Sequence, residues 1–178
     1  MCGIAVVFNY PLSAEVSYEN HLKRMLSVIN HRGPDESGIY TGAKIGLGNV
    51  RLSIVDLSTG QQPLSDESGN YWIVYNGEVF NYPELRETLE KKGVKFRTTC
   101  DTEVVVEMYA MYGAGCLKYF NGQFAFCIWD KKKQELFLAR DRVGIRPLFY
   151  WAENQSFAFC SEIKGIFTLD KVKRELDN

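Results

Sequence analysis

The chain has 178 residues, 46% of them hydrophobic and 13% aromatic, and a formal net charge of −1. This composition excludes a disordered chain and fits one globular domain with a substantial core. The balanced charge does not indicate a surface that binds nucleic acid or anionic lipid. No apolar run reaches the roughly 20 residues of a membrane helix. Because the N-terminus also lacks the basic segment of a signal peptide, we expect a cytoplasmic protein.

The first half of the chain is predicted to begin with a buried strand over Gly3–Phe8. A helix should follow over Ser17–Asn30, where Leu22, Met25, Leu26 and Ile29 share one face and Ser17 suits the N-cap. Glycine, proline and polar turns then separate four runs typical of strands: Ser37–Tyr40, Lys44–Leu47, Arg51–Val55 and Tyr71–Tyr75.

The middle of the chain is predicted to hold two helices. Asn76-Gly77 is normally a tight-turn signal, although the segment after it leads into a helix and not into a pairing strand. That helix should run over Tyr82–Lys92, with Asn81 at its N-cap and Gly93 just past its end. The next helix should begin after Asp101-Thr102 and turn Val105, Met108, Tyr109 and Tyr112 inward.

Strand patterns return in the last third of the chain, at Gln123–Trp129, Glu135–Arg140, Pro147–Trp151 and Ser156–Cys160, before a short helix over Glu162–Phe167. Strict β-α-β alternation is missing, so a doubly wound parallel sheet does not fit. Two mostly antiparallel sheets covered by helices, an α+β fold, fit better.

The cysteines give no sign of a zinc site or a disulfide framework. Their number is odd, none lies at C-x-x-C spacing, and the chain has only two histidines. Cys127 and Cys160 fall in aromatic-rich strand patterns and are predicted to be core residues. The pattern leaves Cys100 and Cys116 open, with reduced thiols as the default.

Cys2 becomes the N-terminal residue once Met1 is removed, and its small side chain favours that removal. It would then carry both a thiol nucleophile and a free α-amine able to act as its base. The reference pKa values, about 7.7–8.0 for the amine and about 8.5 for the thiol, make proton transfer between them nearly isoenergetic. The alternative is a small hydrophobic residue that starts a buried strand.

Four further segments have compositions that are unusual for residues with only a structural role, but each also has a purely structural interpretation. His31–Gly38 is a charged, glycine-punctuated loop that could be only a helix stop and a turn. Arg51–Asp56 opens an apolar strand with an arginine that could be exposed at the strand end. Asn76–Asn81 could contain a hairpin turn. In Thr99–Glu103, capping of the next helix is the better interpretation for Thr102 and an open alternative for Asp101.

Together these segments resemble the class II glutamine amidotransferase domain, a branch of the N-terminal-nucleophile hydrolases, over essentially residues 1–178. The asparagine synthetase branch shows His-Arg-Gly-Pro-Asp-x-Ser-Gly, Arg-Leu-Ser-Ile-x-Asp, Asn-Gly-Glu-x-Tyr-Asn and Arg-Asp-x-x-Gly-x-x-Pro-Leu. The matching segments here are His31–Gly38, Arg51–Asp56, Asn76–Asn81 with Phe80 in the aromatic slot, and Arg140–Leu148. The resemblance implies a four-layer α-β-β-α sandwich of two mostly antiparallel sheets.

The resemblance also implies a role for each matching residue. Cys2 would attack the side-chain amide of L-glutamine, and the Asn76 side chain with the Gly77 backbone N–H would bind the oxyanion. Arg51 would hold the substrate carboxylate through a bidentate fork and Asp101 its ammonium. The remaining implied residues line the pocket or shape the loop beside the nucleophile: Leu52, Ile54, Val55 and Glu78 for the pocket, and Arg32 and Gly33 for the loop. One departure from the family is Asn49, which stands where a histidine is usual and puts the local support of the Arg51 strand in question.

The expected reaction yields glutamate and ammonia and needs no cofactor or metal in this domain. ATP and magnesium are expected only in a partner synthetase domain or subunit, because the chain has no Ser-Gly-Gly-x-Asp-Ser loop and no P-loop. One alternative is a non-catalytic module that senses glutamine in a synthetase complex. Another is an N-terminal-nucleophile hydrolase acting on a different amide. The pairing of Arg51 with Asp101, which suits a free amino acid, argues against the latter.

Overall fold

A computed structural model describes residues 1–11, 17–52 and 60–175 of the chain. The chain divides into two compact units. We call residues 1–52 and 147–178 the nucleophile unit, because it contains Cys2, and residues 53–146 the insert unit. Within the described residues, no helix is long and apolar enough to cross a membrane.

The secondary structure of the described residues alternates strands with short helices. The strands are β1 (Gly3–Phe8), β2 (Glu36–Thr41), β3 (Ile45–Arg51), β4 (Leu64–Ser65), β5 (Tyr71–Val79), β6 (Gly122–Asp130), β7 (Glu135–Arg140), β8 (Phe149–Glu153) and β9 (Ser156–Cys160). The helices are α1 (Tyr18–Val28), α2 (Tyr82–Glu90), α3 (Asp101–Tyr112) and α4 (Ile163–Ile166), with 3₁₀ turns at Asn30–Arg32 and Gly113–Lys118.

The nucleophile unit is a five-stranded antiparallel sheet in the order β2-β3-β1-β9-β8. Helix α1 packs on one face, as predicted, through the apolar side chains at helical spacing, and Asn20 N–H donates to the Ser17 cap at 3.2 Å. The glycines of β3 make room for this helix, since a Cβ on Gly46 would lie 2.8 Å from Leu22 Cδ1. Central strand β1 therefore fixes the backbone that follows Cys2.

The insert unit is a four-stranded antiparallel sheet in the order β4-β5-β6-β7. Helices α2 and α3 and the odd-numbered residues of β5 share one apolar core, which includes Ile73, Val79 and Val105. The expectation of an α+β fold with two antiparallel sheets flanked by helices is thus confirmed.

The core placement of Cys127 and Cys160 is also confirmed, and Cys100 and Cys116 are buried free thiols as well.

The alternative of a turn at Asn76-Gly77 is wrong, and so is the predicted end of the strand at Tyr75. Strand β5 continues through both residues to Val79, and β6 pairs with it along its whole length, with Asn76 opposite Ala125. Neither residue has the positive φ that a two-residue hairpin turn requires. The partner strand lies far away in sequence, and its pairing outweighs the local turn preference.

The division of β3 into two predicted strands is also wrong. One strand runs without a break over Ile45–Arg51, and Asn49 pairs with Ile4 on one side and Gly38 on the other. The glycines suggested a turn, but they are needed where α1 lies close to the strand. The rest of the second predicted strand, over 53–55, lies outside the described residues.

Candidate active site

The sequence-predicted site residues divide between the two units. The nucleophile unit carries Cys2, Arg32, Gly33, Arg51 and Leu52, and the insert unit carries Asn76, Gly77, Glu78 and Asp101. Ile54 and Val55 lie outside the described residues.

Cys2 lies at the start of the central strand of its sheet and is half-buried. Its Sγ is 4.0 Å from the carbonyl oxygen of Leu52, and its own carbonyl oxygen accepts a hydrogen bond from Arg32 Nε at 3.0 Å. Arg32 also pairs with Glu162, at 3.1 Å from Nη1 to Oε1. The structure therefore brings Cys2, Arg32 and Leu52 together.

Gly33 lies against the end of β3. A Cβ there would be 2.5 Å from the carbonyl oxygen of Val50 and 2.5 Å from the carbonyl carbon of Arg51. Any side chain at this position would collide with backbone, which cannot move without disturbing the strand that carries Arg51. The glycine is thus required by close packing of the loop on the strand.

Arg51 is the last residue of β3 and is buried, so the alternative of an exposed strand-end arginine is wrong. Its Nη1 donates to Glu36 Oε2 at 2.9 Å, and the two residues stand opposite each other in the β2–β3 register. Glu36 was missed because its partner is set by strand register, although it falls inside the charged loop motif. A carboxylate of the protein thus already contacts the predicted carboxylate-binding guanidinium.

Asn76 is buried in β5, on the face of the sheet opposite α3. Its side-chain Nδ2 makes no hydrogen bond with any residue that the structure describes. An amide donor buried without an acceptor costs about 1–3 kcal/mol, so such groups are rare in folded proteins. Asn76 therefore presents a donor that the rest of the described chain does not use.

The backbone N–H of Gly77 points away from β6. Its register partner Phe124 directs both backbone groups to Asp141 on the other side, since Phe124 N–H bonds Asp141 Oδ2 at 3.2 Å and Asp141 N–H bonds the Phe124 carbonyl at 2.8 Å. In an antiparallel ladder, such a pair exchanges no hydrogen bonds. Gly77 must also lack a side chain, because a Cβ would collide with the carbonyl oxygen of Gln123.

Asp101 accepts a hydrogen bond from the same edge of β5, the edge that faces away from β6. On either side of Gly77, Tyr75 N–H donates to Gln62 Oε1 at 2.7 Å and Val79 N–H donates to Asp101 Oδ2 at 3.1 Å. The Tyr75 hydroxyl donates to the same carboxylate oxygen at 2.6 Å. The Gly77 N–H thus lies between two donors whose acceptors are side chains.

Asp101 is not a helix cap. Helix α3 begins at Asp101 itself, and Cys100 occupies the N-cap position without a side-chain bond, so capping by Thr102 is wrong as well. Burial raises the pKa of Asp101 above its ordinary value, and the hydrogen bonds from Tyr75 and Val79 offset part of that rise. Burial and the neighbouring Asp101 charge raise the pKa of Tyr75 well above its ordinary value, so Tyr75 remains the donor.

Two predicted residues have less defined surroundings. Glu78 is exposed at its side chain and pairs with Gln123 through the sheet, and its charge raises the pKa of Asp101. Asn49, which departs from the family pattern, is buried in an unbroken strand, and its Nδ2 has no partner among the described residues. Within those residues, no three His, Cys, Asp or Glu side chains come together where they could hold a metal ion.

Comparison with known proteins places these residues in context. A family model described as a glutamine amidotransferase domain matches residues 1–178. Asparagine synthetase [glutamine-hydrolyzing] 1 of Bacillus subtilis is 46% identical over 167 residues, which cover 93% of this chain and 26% of the relative. A putative asparagine synthetase of Methanocaldococcus jannaschii is 40% identical, over 98% of this chain and 36% of the relative. Amidase chry2 of Gibberella zeae is 37% identical, over 93% of this chain and 26% of the relative.

These relatives are several times longer than the chain, which spans only about a quarter to a third of their length. A solved structure of glutamine phosphoribosylpyrophosphate amidotransferase from B. subtilis matches with a TM-score of 0.74, over 93% of this chain and 43% of that one. Its sequence identity is 23%, so this likeness shows the fold alone.

Proposed function

The chain belongs to the glutamine amidotransferase domain family, and on that basis we propose that it hydrolyses L-glutamine to glutamate and ammonia through a γ-glutamyl thioester on Cys2. The observation that carries this proposal is the buried Asn76 amide donor without an acceptor among the described residues. It is adjacent to a backbone N–H that strand β6 does not accept. Two donors held ready in this way are what a developing oxyanion requires.

The reaction starts with attack of the Cys2 sulfur on the γ-carbonyl carbon of glutamine. The Cys2 α-amine, exposed once Met1 is removed, accepts the thiol proton and delivers it to the departing nitrogen, so that ammonia leaves as the thioester forms. Water then attacks the thioester carbonyl, and the thiol is regenerated as glutamate leaves. Asn76 Nδ2 and Gly77 N–H stabilise the tetrahedral oxyanion of both steps.

The two ends of the amino acid are recognised by opposite charges. Asp101 binds the α-ammonium, because its carboxylate is held by Tyr75 and Val79, which donate hydrogen bonds but carry no charge. Arg51 binds the α-carboxylate, which shares the guanidinium with Glu36. By resemblance to the family, we expect Leu52, Ile54, Val55 and Glu78 to contact the substrate as well.

The ammonia passes to an asparagine-synthetase-type acceptor site on another domain or subunit. Support comes from the relatives named asparagine synthetase, of whose length this chain covers only a part. ATP and magnesium belong to that partner. A module that only senses glutamine remains the competing function, and it would have no use for a donor that binds a transition state.

The test is glutamate release by the wild type and by Cys2→Ala, combined with intact mass after treatment with a glutamine-analogue alkylator. We expect turnover and one adduct on the wild type, with Met1 absent, and neither turnover nor adduct on Cys2→Ala. Cys2→Ala keeps four buried thiols, so the absence of an adduct on this variant would show that the alkylator reacts with Cys2 and not with the other cysteines. Circular dichroism should show an unchanged fold.

Two outcomes would contradict the proposal. Substantial glutamate release by Cys2→Ala would remove Cys2 from the chemistry. A wild type that binds glutamine, measured by calorimetry, but releases no glutamate would support the sensing module instead.

A further inference from the structure

A charged network beside Cys2 has no part in the reaction described above. Its centre is Glu162, which lies between β9 and α4. Glu162 Oε1 is 3.1 Å from Arg32 Nη1 and 2.9 Å from His31 Nε2, and Oε2 is 3.0 Å from Lys164 Nζ. One carboxylate thus gathers three basic side chains in the same unit as the nucleophile.

Arg32 connects this network to Cys2. Its Nε donates to the Cys2 carbonyl at 3.0 Å while its Nη1 pairs with Glu162, so the two contacts use different nitrogens of one rigid guanidinium. The Arg32 side chain is only 10% exposed, and its Cδ would be 3.3 Å from a Cβ on Gly3. The guanidinium therefore has little freedom, and its hydrogen bonds to the Cys2 carbonyl and to Glu162 orient it together.

The position of Glu162 relative to Cys2 is itself fixed. Ser161, the preceding residue, donates its backbone N–H to the Ile4 carbonyl at 2.9 Å and accepts the Ile4 N–H at its Oγ at 3.0 Å. The chain from Cys2 through Ile4, Ser161, Glu162 and Arg32 back to Cys2 is thus a closed ring of covalent and hydrogen bonds. It restrains the backbone of the residue that carries the thiol.

We propose that Glu162 is a positioning residue for the nucleophile: it holds the Arg32 guanidinium, which holds the Cys2 carbonyl and so orients the thiol and the α-amine. This inference rests on the proposed function. A displacement of about 1 Å at a reacting group can cost about 100-fold in rate, so the ring has a catalytic consequence out of proportion to its size.

The charge state of Glu162 supports this role. Burial raises its pKa, but the hydrogen bonds from Lys164, Arg32 and His31 outweigh that effect and leave the pKa below its ordinary value. The carboxylate is therefore ionised throughout the neutral range. The pairs with His31 and Lys164, whose side chains are 56% and 50% exposed, contribute little to fold stability. The contact with the mostly buried Arg32 is therefore the one that carries the proposed role.

The experiment compares Glu162→Ala and Glu162→Gln with Asp170→Asn. Asp170 is a matched control, because it pairs with Arg24 at 3.0 Å in the same unit and makes no contact with the ring. We expect Glu162→Ala to lower kcat for glutamine hydrolysis about 10- to 100-fold, with KM changed less than about twofold. Glu162→Gln keeps an acceptor for Arg32 and should fall between Glu162→Ala and the wild type, and Asp170→Asn should match the wild type.

A double-mutant cycle with Arg32→Lys tests whether Glu162 acts through Arg32. Lysine keeps the charge but cannot bridge Glu162 and Cys2 with a rigid fork. If Glu162 works through Arg32, the double variant loses no more activity than Arg32→Lys alone, whereas additive losses would overturn the proposal. Melting temperatures confirm that each variant is folded.

Other outcomes also decide the matter. A folded Glu162→Ala with unchanged kcat, or with a raised KM as its only defect, would overturn the positioning role and leave the proposed function intact. An equal loss in Asp170→Asn would reduce the effect to general destabilisation and overturn it too. A wild type that releases no glutamate would overturn the proposed function together with this inference.

Discussion

In the nucleophile unit, the half-buried Arg32 and the buried Arg51 each pair with a carboxylate, whereas the insert unit holds Asp101 with donors that carry no charge. Arg32 pairs with Glu162 and Arg51 with Glu36. Asp101 accepts hydrogen bonds from the Tyr75 hydroxyl and from the backbone N–H groups of Val79 and Thr102, none of which carries a charge. The first arrangement neutralises a buried cation within the protein, and the second leaves the full negative charge of the carboxylate available.

This difference indicates how each unit would treat a charged ligand. A substrate carboxylate that reaches Arg51 joins an ion pair already formed, so part of its attraction is offset by repulsion from Glu36. A substrate ammonium at Asp101 meets a carboxylate whose hydrogen-bond donors, among them Tyr75 and Val79, carry no charge. The burial that raises the pKa of Asp101 also strengthens its attraction for a cation, since both follow from the loss of water around the charge.

Each unit also holds a buried amide donor without an acceptor among the described residues, Asn49 Nδ2 in the nucleophile unit and Asn76 Nδ2 in the insert unit. Arg32 Nε and Arg51 Nη1 have acceptors in the structure, whereas Asn76 Nδ2 has none among the described residues. A donor left without an acceptor in the folded protein costs stability at all times and is useful only when an acceptor arrives. Asn76 Nδ2 is therefore a donor that an arriving acceptor could use, whereas Arg32 Nε and Arg51 Nη1 already have acceptors.

Among the variants that test this comparison, Asn76→Ala should have the largest effect. Loss of one oxyanion donor typically lowers turnover about 10²–10³-fold, and because the donor acts mainly in the transition state, kcat should fall much more than KM rises. Asn81→Ala is the matched control, because Asn81 belongs to the same motif but bonds the Tyr119 carbonyl and the Asn121 N–H. It should lower the melting temperature and leave kcat nearly unchanged. Unchanged turnover with weakened binding in Asn76→Ala would make Asn76 a substrate contact.

The second prediction concerns the two charges. Arg51→Ala and Asp101→Ala should each raise KM for glutamine about 10- to 100-fold, which corresponds to the 1.5–3 kcal/mol of a hydrogen bond to a charged group. The rise should be larger for Asp101→Ala, since Arg51 is partly neutralised by Glu36. Steady-state kinetics on both variants measure this difference.

Substrate analogues provide the control for that prediction. Glutamine without its α-amine should be a poor substrate and should be indifferent to Asp101→Ala, and glutamine without its α-carboxylate should be indifferent to Arg51→Ala. If KM for glutamine is unaltered in both variants, the charge clamp is refuted, and the case for glutamine as the substrate is weakened with it.

The parts of the fold that were predicted correctly are those whose signal is local. Helix α1 was identified from apolar residues at helical spacing and a serine cap, both contained within 14 residues of sequence. The predicted bounds of β7 and β9 also agree with the structure. In each case the residues that determine the element lie inside it.

The errors concern residues whose partners are distant in sequence. Asn76-Gly77 has the local signature of a turn, but β6 supplies a pairing partner about 45 residues later. Glu36 beside Arg51 follows from strand register, which no local pattern reports. Glu162 reaches Arg32 across 130 residues.

The candidate site was proposed from motif resemblance, and the residues that the resemblance missed are those that contact the motif residues from outside the motifs. Tyr75 was assigned only as the end of a strand, because a tyrosine in an apolar run is indistinguishable from a core residue. Its hydroxyl meets Asp101, 26 residues later, once helix α3 has packed on β5. The resemblance located the charged groups but carried no information about what holds them.

Tyr75→Phe gives the smallest and most discriminating test of the comparison, because it removes one neutral donor from Asp101 and nothing else. We expect a loss of about 0.5–1.5 kcal/mol, which is a few-fold rise in KM near neutral pH. The bond from Tyr75 lowers the pKa of Asp101, so its loss raises that pKa further above the ordinary value. Since only the ionised carboxylate binds the substrate ammonium, KM should rise on acidification at a higher pH in the variant than in the wild type.

The effect on stability has the opposite dependence on pH. A carboxyl whose pKa is higher in the folded than in the unfolded state binds a proton more tightly when the protein is folded. The free energy of unfolding therefore falls as the pH rises from the pKa of the unfolded state through the pKa of the folded state. In Tyr75→Phe this fall should be larger and extend to higher pH. Tyr109→Phe is the control, since Tyr109 packs on Phe137 in the same unit without a bond to Asp101 and should shift neither profile. Profiles of KM and melting temperature against pH measure both effects. If KM begins to rise on acidification at the same pH in Tyr75→Phe and in the wild type, the neutral donors do not lower the pKa of Asp101.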